Sequence, residues 1–188
     1  MKAIVCTKYG PPDVLHLKEV AKPTPKPDQV LIKIYAASVN AYDWHLLTAD
    51  IFLVRLMGGG LLGPKNTIPG VDIAGRIEAV GRNVKQFKPG DQVFGDISGL
   101  DSGSFAEYVS VPESFLAHKP TNLTFEESAA VPMAAITALQ GLRDEGQIQP
   151  GHKVLIQGAS GGVGTFAVQI AKSFDAEVTA VTSPRNLD

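Results

Sequence analysis

The sequence contains a single cysteine, Cys6, among 188 residues. One cysteine excludes an intrachain disulfide and any zinc site built from several thiolates. Its apolar neighbours Ala3, Ile4 and Val5 predict that Cys6 is a small core residue. The four histidines are scattered without the paired spacing of metal ligands, so we predict no metal site.

The chain also lacks an excess of positive charge, with 17 Lys and Arg against 19 Asp and Glu and a net charge of −2. This composition argues against nucleic acid as a partner. The sequence shows no signal peptide and no apolar run as long as a membrane-spanning helix. We therefore predict a cytoplasmic protein without a membrane partner.

Short strands punctuated by turn residues dominate the first part of the chain. Val30, Ile32 and Ile34 alternate with Leu31, Lys33 and Tyr35, as in a strand, and strand-like runs recur at 2–8, 71–80 and 103–111. A short helix is expected at 41–48. Short strands at regular spacing predict a compact, mainly antiparallel β-barrel.

An apolar run from Ile51 to Met57 precedes Gly58-Gly59-Gly60. Glycine adds backbone freedom, so this segment is expected to be a mobile loop or lid. With Phe52 it either lines a substrate entrance or is an ordinary exposed loop.

The pattern changes at Thr124, where Thr124-Phe125-Glu126-Glu127 has the form of a helix capping box. Pro132 is expected in the first turn of a second helix, whose Met133, Ile136 and Leu139 would share an apolar face. A parallel β-α-β unit should follow, with strands at 154–156 and 178–181 and a helix ending near Phe174.

A glycine-rich turn opens that helix, with the spacing Ala159-x-Gly161-x-x-Gly164. Glycines let the backbone approach a pyrophosphate, and a helix N-terminus attracts its charge. We therefore predict a dinucleotide site; the alternative is a plain strand-to-helix turn. The predicted binding segment comprises Ala159, Ser160, Gly161, Gly162, Val163 and Gly164.

The residues after the second strand indicate which dinucleotide is used. NAD-dependent proteins usually place an Asp or Glu there, whereas this chain has Thr182, Ser183 and Arg185. A missing carboxylate and an added cation favour a 2′-phosphate, so NADPH is predicted. The alternative is that Pro184 and Arg185 form only a solvated turn.

The chain ends at Asp188, soon after the second parallel strand. A doubly wound sheet needs more strands, so we expect this half to be an incomplete domain of a longer protein and only marginally stable alone. We place the domains at 1–123 and 124–188.

Five short motifs follow one another along the chain: Gly90-Asp91-x-Val93, Gly103-x-Phe105-Ala106-Glu107-Tyr108, Ala129-Ala130-x-Pro132, Thr137-Ala138 and Gly158-Ala159-Ser160-Gly161-Gly162-Val163-Gly164. Taken in order, they resemble the motifs of the medium-chain dehydrogenase/reductase superfamily, which is alcohol dehydrogenase-like. The chain looks most similar to the zinc-independent quinone oxidoreductase branch, which includes enone and alkenal reductases.

This resemblance implies a GroES-like substrate domain to about residue 123, followed by a Rossmann NADP-binding domain of which about 130 or more residues are absent. It also implies a homodimer in the full-length protein. Zinc-using relatives carry metal ligands where this chain has Asn40, Val71 and Asp72. The resemblance therefore implies reduction without a Lewis-acid metal.

Hydride transfer to a quinone or an α,β-unsaturated carbonyl is the chemistry that the resemblance implies. Asn40 and Tyr42 are candidate donors to the developing oxyanion, Asn40 matches a position beside the nicotinamide, and Thr137 would position the cofactor. Simpler roles stay open, because Asn40 could satisfy a turn, Tyr42 could be a half-buried aromatic residue and Asp43 could cap a helix. Two other functions also stay open: a non-catalytic nucleotide-binding or sensor protein, and a zinc-dependent alcohol dehydrogenase.

Overall fold

The computed structural model describes residues 1–50, 54–55, 60–61, 63–64 and 67–186. The chain divides into two compact units, Met1–Pro132 and Met133–Asp188. The loop expected around Phe52, Gly58 and Gly59 lies outside the described residues.

The first unit is built on antiparallel strands, which confirms the predicted fold class. Strand β1 pairs with β2, and a five-stranded sheet has the order β6-β3-β4-β5-β7. The strands are β1 Lys2–Cys6, β2 Leu15–Glu19, β3 Gln29–Ala36, β4 Asp72–Val80, β5 Gln92–Asp96, β6 Tyr108–Pro112 and β7 Ala117–His118.

The segment before β6 joins the two-stranded β1-β2 ribbon to the large sheet. Ala106 forms an isolated antiparallel bridge with Ala3, and the Ile4 N–H donates to the Phe105 carbonyl at 2.8 Å. On its other side, the Glu107 carbonyl accepts from the Ile34 N–H of β3 at 2.9 Å. The strand expected from residue 103 therefore begins only at Tyr108, because the preceding residues bond to two different partners.

β-Branched residues fill the core of the first unit. On β5 and β6 buried residues alternate with less buried ones, because a pleated strand sends successive side chains to opposite faces. Cys6 is also buried, as predicted, at 3% exposure. The cluster consists of Val30, Ile32, Ile73, Ile77, Phe87, Val93, Ile97, Val109 and Val111.

Two helices belong to the first unit: α1, Ala41–Thr48, and α2, Phe125–Ala129. Helix α1 has the predicted bounds. The capping box of α2 is present, because the Glu127 N–H donates to Thr124 Oγ1 at 3.1 Å and the Thr124 N–H donates to Glu127 Oε2 at 2.8 Å. Helix α2 packs against β3 and β4, and Phe125 stacks on Tyr35 with ring centroids 4.6 Å apart. The domain boundary at 123 remains a prediction.

The second unit contains the predicted parallel β-α-β arrangement. Strand β8, Lys153–Gln157, pairs in parallel with β9, Glu177–Val181, and helix α4, Gly162–Ser173, connects them. Helix α3, Pro132–Leu139, precedes this unit and continues into a π-helical stretch at Gln140–Glu145.

Small residues form much of the core of the second unit: Ala138, Ile148, Ile156, Ala159, Ala167, Ala171 and Ala176. The apolar face predicted for α3 is partly wrong. Pro132 is buried, as are Ala134 and Ala138 at 7% and 4% exposure, whereas Ile136 is 41% exposed. Alanines allow the helix backbone to approach its neighbours closely.

Candidate functional site

The glycine-rich turn links the end of β8 to the start of α4. The Gly158 and Ala159 N–H groups both donate to the Val181 carbonyl at 3.0 Å, and the Gly161 N–H donates to the Gly158 carbonyl at 3.0 Å. Gly158 has a φ of +73°, a conformation that costs glycine little. The turn is thereby tied to the last residue of β9.

The last glycine of the motif is required by close packing. A Cβ at Gly164 would lie 2.1 Å from the Gly158 carbonyl oxygen and 2.7 Å from Ala159 Cα. A Cβ at Gly162 would meet nothing nearer than Ala134 Cβ at 4.0 Å. Gly164 therefore holds the helix against the turn, while the backbone at Gly162 borders open space.

The first turn of α4 presents unused backbone donors. Its first α-helical hydrogen bond runs from the Thr165 N–H to the Gly161 carbonyl at 2.9 Å. Within the described part of the chain, the Gly162, Val163 and Gly164 N–H groups have no backbone acceptor, no side chain caps the helix, and its first turn has no acidic residue. These donors and the helix dipole fit the pyrophosphate of a dinucleotide.

A polar side-chain network continues from this turn to the end of β9. Thr182 Oγ1 donates to Ser160 Oγ at 2.7 Å. Asn186 Nδ2 contacts Ser160 Oγ at 3.0 Å and Ser183 Oγ at 3.2 Å. Ser160, Thr182 and Ser183 therefore belong to one cluster, and Asn186 is an additional member of it. Asn186 was not among the site residues predicted from the sequence.

Arg185 lies within the same segment, in a 3₁₀ turn at Pro184–Asn186. Its side chain is exposed, and it forms no ion pair with any residue that the structure describes. No acidic residue occurs from Thr182 to Asn186. The Arg185 guanidinium is therefore available to bind an anion beside Ser183 and Asn186.

Thr137 lies on α3, in the same compact unit as the glycine turn. Its Oγ1 donates to the Met133 carbonyl at 2.7 Å, so the hydroxyl oxygen retains acceptor capacity. The residue is exposed. One turn earlier on the helix, Ala134 is the nearest neighbour to a Cβ built at Gly162.

In the first unit, Asn40 is the N-cap residue of α1 and lies in a network with two other side chains. Its Nδ2 contacts Ser38 Oγ at 3.0 Å and Asp72 Oδ2 at 3.0 Å. Ser38 Oγ in turn donates to Asp72 Oδ2 at 2.8 Å. Asp72, the first residue of β4, is fully buried at 0% exposure.

Asp43 is a buried carboxylate that holds the backbone of Asn40. Its Oδ2 accepts from the Asn40 N–H at 2.8 Å, as the helix-cap interpretation predicts, and its side chain is only 6% exposed. Burial raises the pKa of Asp43, and the negative charge of Asp72 raises it further. Within the described residues, Oδ1 has no partner in hydrogen-bond geometry. The sequence indicated that Asp43 could cap a helix, but it did not indicate that the Asp43 side chain is buried.

Tyr42 lies on α1 beside these groups and is 39% exposed. Partial burial raises its pKa above the ordinary 10.0, and the negative charges of Asp96 and Asp43 act in the same direction. Its hydroxyl is therefore protonated at neutral pH and can donate a hydrogen bond. Asn40 and Tyr42 both lie at the N-terminal end of α1, the helix that the sequence predicted at 41–48.

The described part of the chain contains neither a cluster of metal ligands nor a membrane-spanning helix. Across the described residues, no group of three or more His, Cys, Asp or Glu side chains could hold a metal ion. None of the helices in this part of the chain has the length and apolar character needed to span a bilayer.

Comparison with known proteins agrees with this architecture. Residues 26–121, just over half of the chain, match the family described as "Alcohol dehydrogenase GroES-like domain". The chain is 44% identical to the 2-methylene-furan-3-one reductase of Solanum lycopersicum, covering 97% of this chain and 47% of that protein. It is 36% identical to the human "NAD(P)H oxidoreductase RTN4IP1, mitochondrial", covering 97% of this chain and 49% of that protein.

A solved structure, the quinone oxidoreductase from Coxiella burnetii, superposes with a TM-score of 0.87 at 34% identity, covering 99% of this chain and 57% of that chain. The chain spans about half the length of the curated relatives it matches. On its matched domain, its strands and its relatives, the chain belongs to the medium-chain dehydrogenase/reductase superfamily, as a quinone oxidoreductase-like member.

Proposed function

We propose that the protein to which this chain belongs is an NADPH-dependent oxidoreductase that reduces quinones or α,β-unsaturated carbonyl compounds without zinc. The observation that carries this proposal is the open backbone at the start of α4, with its unused N–H groups at Gly162, Val163 and Gly164. A nicotinamide cofactor is also consistent with the relatives named quinone oxidoreductase and NAD(P)H oxidoreductase.

Each part of the second unit has a role in binding this cofactor. The free N–H groups would hold the pyrophosphate, with Ala159, Ser160 and Gly161 shaping the turn beneath it. Thr137 would orient the cofactor from α3. NADPH would supply the hydride when bound, and the protein supplies orientation and electrostatics.

The preference for NADPH rests on Arg185 and Ser183. Among the described residues the Arg185 guanidinium has no ion-pair partner, and with the neighbouring Ser183 hydroxyl it provides charge and a donor for a 2′-phosphate. A carboxylate, which would repel that phosphate, does not occur in this segment. Thr182 and Ser160 share the same hydrogen-bond network and would shape the adenosine end of the site.

In the first unit, the Tyr42 hydroxyl is the donor best suited to a developing enolate or hydroquinone oxyanion. It stays protonated because its pKa is raised, and no described residue accepts its hydrogen. One well-placed donor of this kind contributes about 3 kcal/mol to transition-state stabilisation. Asn40 is the second candidate donor. Its Nδ2 already contacts Ser38 Oγ and Asp72 Oδ2, and these contacts fix the orientation of its side chain.

Zinc independence, a homodimer and a cytoplasmic location complete the proposal. Asn40, Val71 and Asp72 occupy the positions where zinc-using relatives have ligands, so a Lewis acid is not expected. Metal analysis of the pure protein is the test, and a bound stoichiometric zinc would favour an alcohol dehydrogenase instead. The human relative is named mitochondrial, so fractionation is needed to test the location.

The central experiment measures steady-state oxidation of NADPH and NADH with 1,4-quinones and simple enones. Arg185→Glu should raise the KM for NADPH at least tenfold, because charge-assisted hydrogen bonds to a phosphate are lost. The KM for NADH should change little. Arg82→Glu makes the same change of net charge in an exposed turn of the first unit and serves as the control.

Equal losses for NADPH and NADH in Arg185→Glu would contradict the cofactor assignment. Saturable NADPH binding without turnover of any quinone or enone would instead favour a non-catalytic nucleotide-binding protein.

A further inference from the structure

The side-chain amide of Asn186 joins two serine hydroxyls that come from different segments of the second unit. Ser160 belongs to the glycine-rich turn between β8 and α4, and Ser183 follows β9. Asn186 Nδ2 contacts Ser160 Oγ at 3.0 Å and Ser183 Oγ at 3.2 Å. Because both oxygens touch one nitrogen atom, the two hydroxyls lie close together at one end of the cluster.

The 3₁₀ turn at Pro184–Asn186 places Asn186 beside these hydroxyls. The Asn186 N–H donates to the Ser183 carbonyl at 3.0 Å, and the ring of Pro184 restricts its own φ. Ser160, Ser183 and Asn186 are all exposed. The arrangement is therefore held by the turn and is open to a ligand.

Ser160 Oγ receives two hydrogen bonds in this arrangement. Thr182 Oγ1 donates to it at 2.7 Å, and Asn186 Nδ2 donates to it at 3.0 Å. A hydroxyl has two acceptor lone pairs and one hydrogen, so Ser160 has only its O–H donor left for a ligand. Ser183 Oγ likewise accepts from Asn186 and keeps its own hydrogen.

The charge of the ligand decides between this arrangement and the opposite one. An Asn186 amide rotated by half a turn would accept from both serines, and their hydrogens would then be occupied. A phosphate oxygen accepts hydrogen bonds, so the two hydroxyls bind it only while Asn186 donates to them. The neighbouring Arg185 guanidinium and the N–H groups at the start of α4 also favour an anion.

We propose that Asn186 is a positioning residue for the 2′-phosphate of NADPH, because by donating to Ser160 and Ser183 it leaves both hydroxyl hydrogens to that phosphate. This assignment rests on the proposed function. A phosphate monoester has three strong acceptor oxygens, which can accept from both hydroxyls and from Arg185. Asn186 acts on the cofactor through the two serines, since both hydrogens of its amide are in use.

The first test measures binding without turnover, by isothermal titration calorimetry of the protein that contains this chain with NADPH and with NADH. Asn186→Leu keeps a similar size and removes the donor. It should raise the Kd for NADPH about three- to tenfold, the range for one hydrogen bond, and change the Kd for NADH less than about twofold. Asn122→Leu, at an exposed asparagine of the first unit, is the matched control and should change neither.

The second test separates an action through the serines from a general effect on the turn. In a protein that carries Ser160→Ala and Ser183→Ala, Asn186→Leu should no longer change the Kd for NADPH, because no hydroxyl remains for it to orient. An equal loss of affinity in both backgrounds would overturn the positioning role and show that Asn186 only supports the turn.

Failure of the proposed function gives a different result. If the wild-type protein binds neither NADPH nor NADH, the cofactor assignment falls and this inference falls with it. If the wild type prefers NADPH and Asn186→Leu binds it equally well, only this inference falls. A variant that loses affinity for NADPH and NADH to the same extent would overturn the assignment of Asn186 to the 2′-phosphate.

Discussion

Gly164 packs so closely on the carbonyl oxygen of Gly158 that a Cβ at position 164 would lie 2.1 Å from it. The Gly158 oxygen belongs to the backbone, and a Cβ at position 164 would be fixed by the backbone of the helix. The clash could therefore not be relieved by the movement of a flexible side chain. The contact joins the first turn of α4 to the end of β8 and sets the shape of the glycine turn.

Gly164→Ala should therefore destabilise the second unit by about 1 to 3 kcal/mol, the usual cost of overpacking, and should abolish NADPH binding. Gly162→Ala is the control for stability, because its Cβ would meet only Ala134 at 4.0 Å. Alanine at that helical position should change stability by less than about 1 kcal/mol. Urea unfolding followed by circular dichroism measures both, and equal losses in the two variants would contradict the close-packing argument.

Tyr42→Phe should lower kcat for quinone reduction about tenfold or more, since it removes a donor to the oxyanion. The KM for NADPH should change little. Because the pKa of Tyr42 is raised above 10.0, loss of this donor by ionisation should not reduce kcat below that pH. Tyr35→Phe is the control: Tyr35 is exposed and stacks on Phe125. Equal kcat values for Tyr42→Phe and wild type would exclude the donor role.

The titration of the buried Asp43 carboxyl group should make the free energy of unfolding depend on pH. Its raised pKa means that the folded state binds a proton more readily than the unfolded state, whose value is near 3.8. The unfolding free energy contributed by Asp43 should therefore increase as pH falls from about 7 to about 4 and decrease as pH rises.

Asp43→Asn removes this titration and is the reference protein for the measurement. Urea unfolding of both proteins across that pH range should show wild type gaining stability relative to Asp43→Asn on acidification. A parallel pH dependence in the two proteins, or a relative loss on acidification, would be incompatible with the raised pKa.

Thr124→Ala should destabilise the first unit by about 1 kcal/mol, because it removes the side-chain acceptor that caps α2. Thr121→Ala is a matched change at a nearby exposed threonine and should be close to neutral. The two variants can be compared by thermal unfolding. If they are equally stable, the bond from the Glu127 N–H to Thr124 Oγ1 contributes nothing measurable.

Local patterns in the sequence determined much of this protein. The helix at Ala41–Thr48, the capping box at Thr124 and the turn between β8 and α4 were all readable before the structure. Each depends on residues a few positions apart, so steric preferences and short-range hydrogen bonds are sufficient to specify it. The succession of motifs also indicated the superfamily.

Contacts between residues far apart in the sequence decided the rest. Asn40 was predicted as a hydrogen-bond donor and stays a candidate, but nothing in the sequence indicated that Asp72 of β4 contacts its Nδ2 at 3.0 Å. The buried side of α3 follows Ala134 and Ala138 rather than Ile136, because close packing favours small side chains there. The sequence alone determined which polar groups the chain contains. The tertiary structure decided which of their donors and acceptors remain unpaired, because that depends on the partners that folding brings beside them.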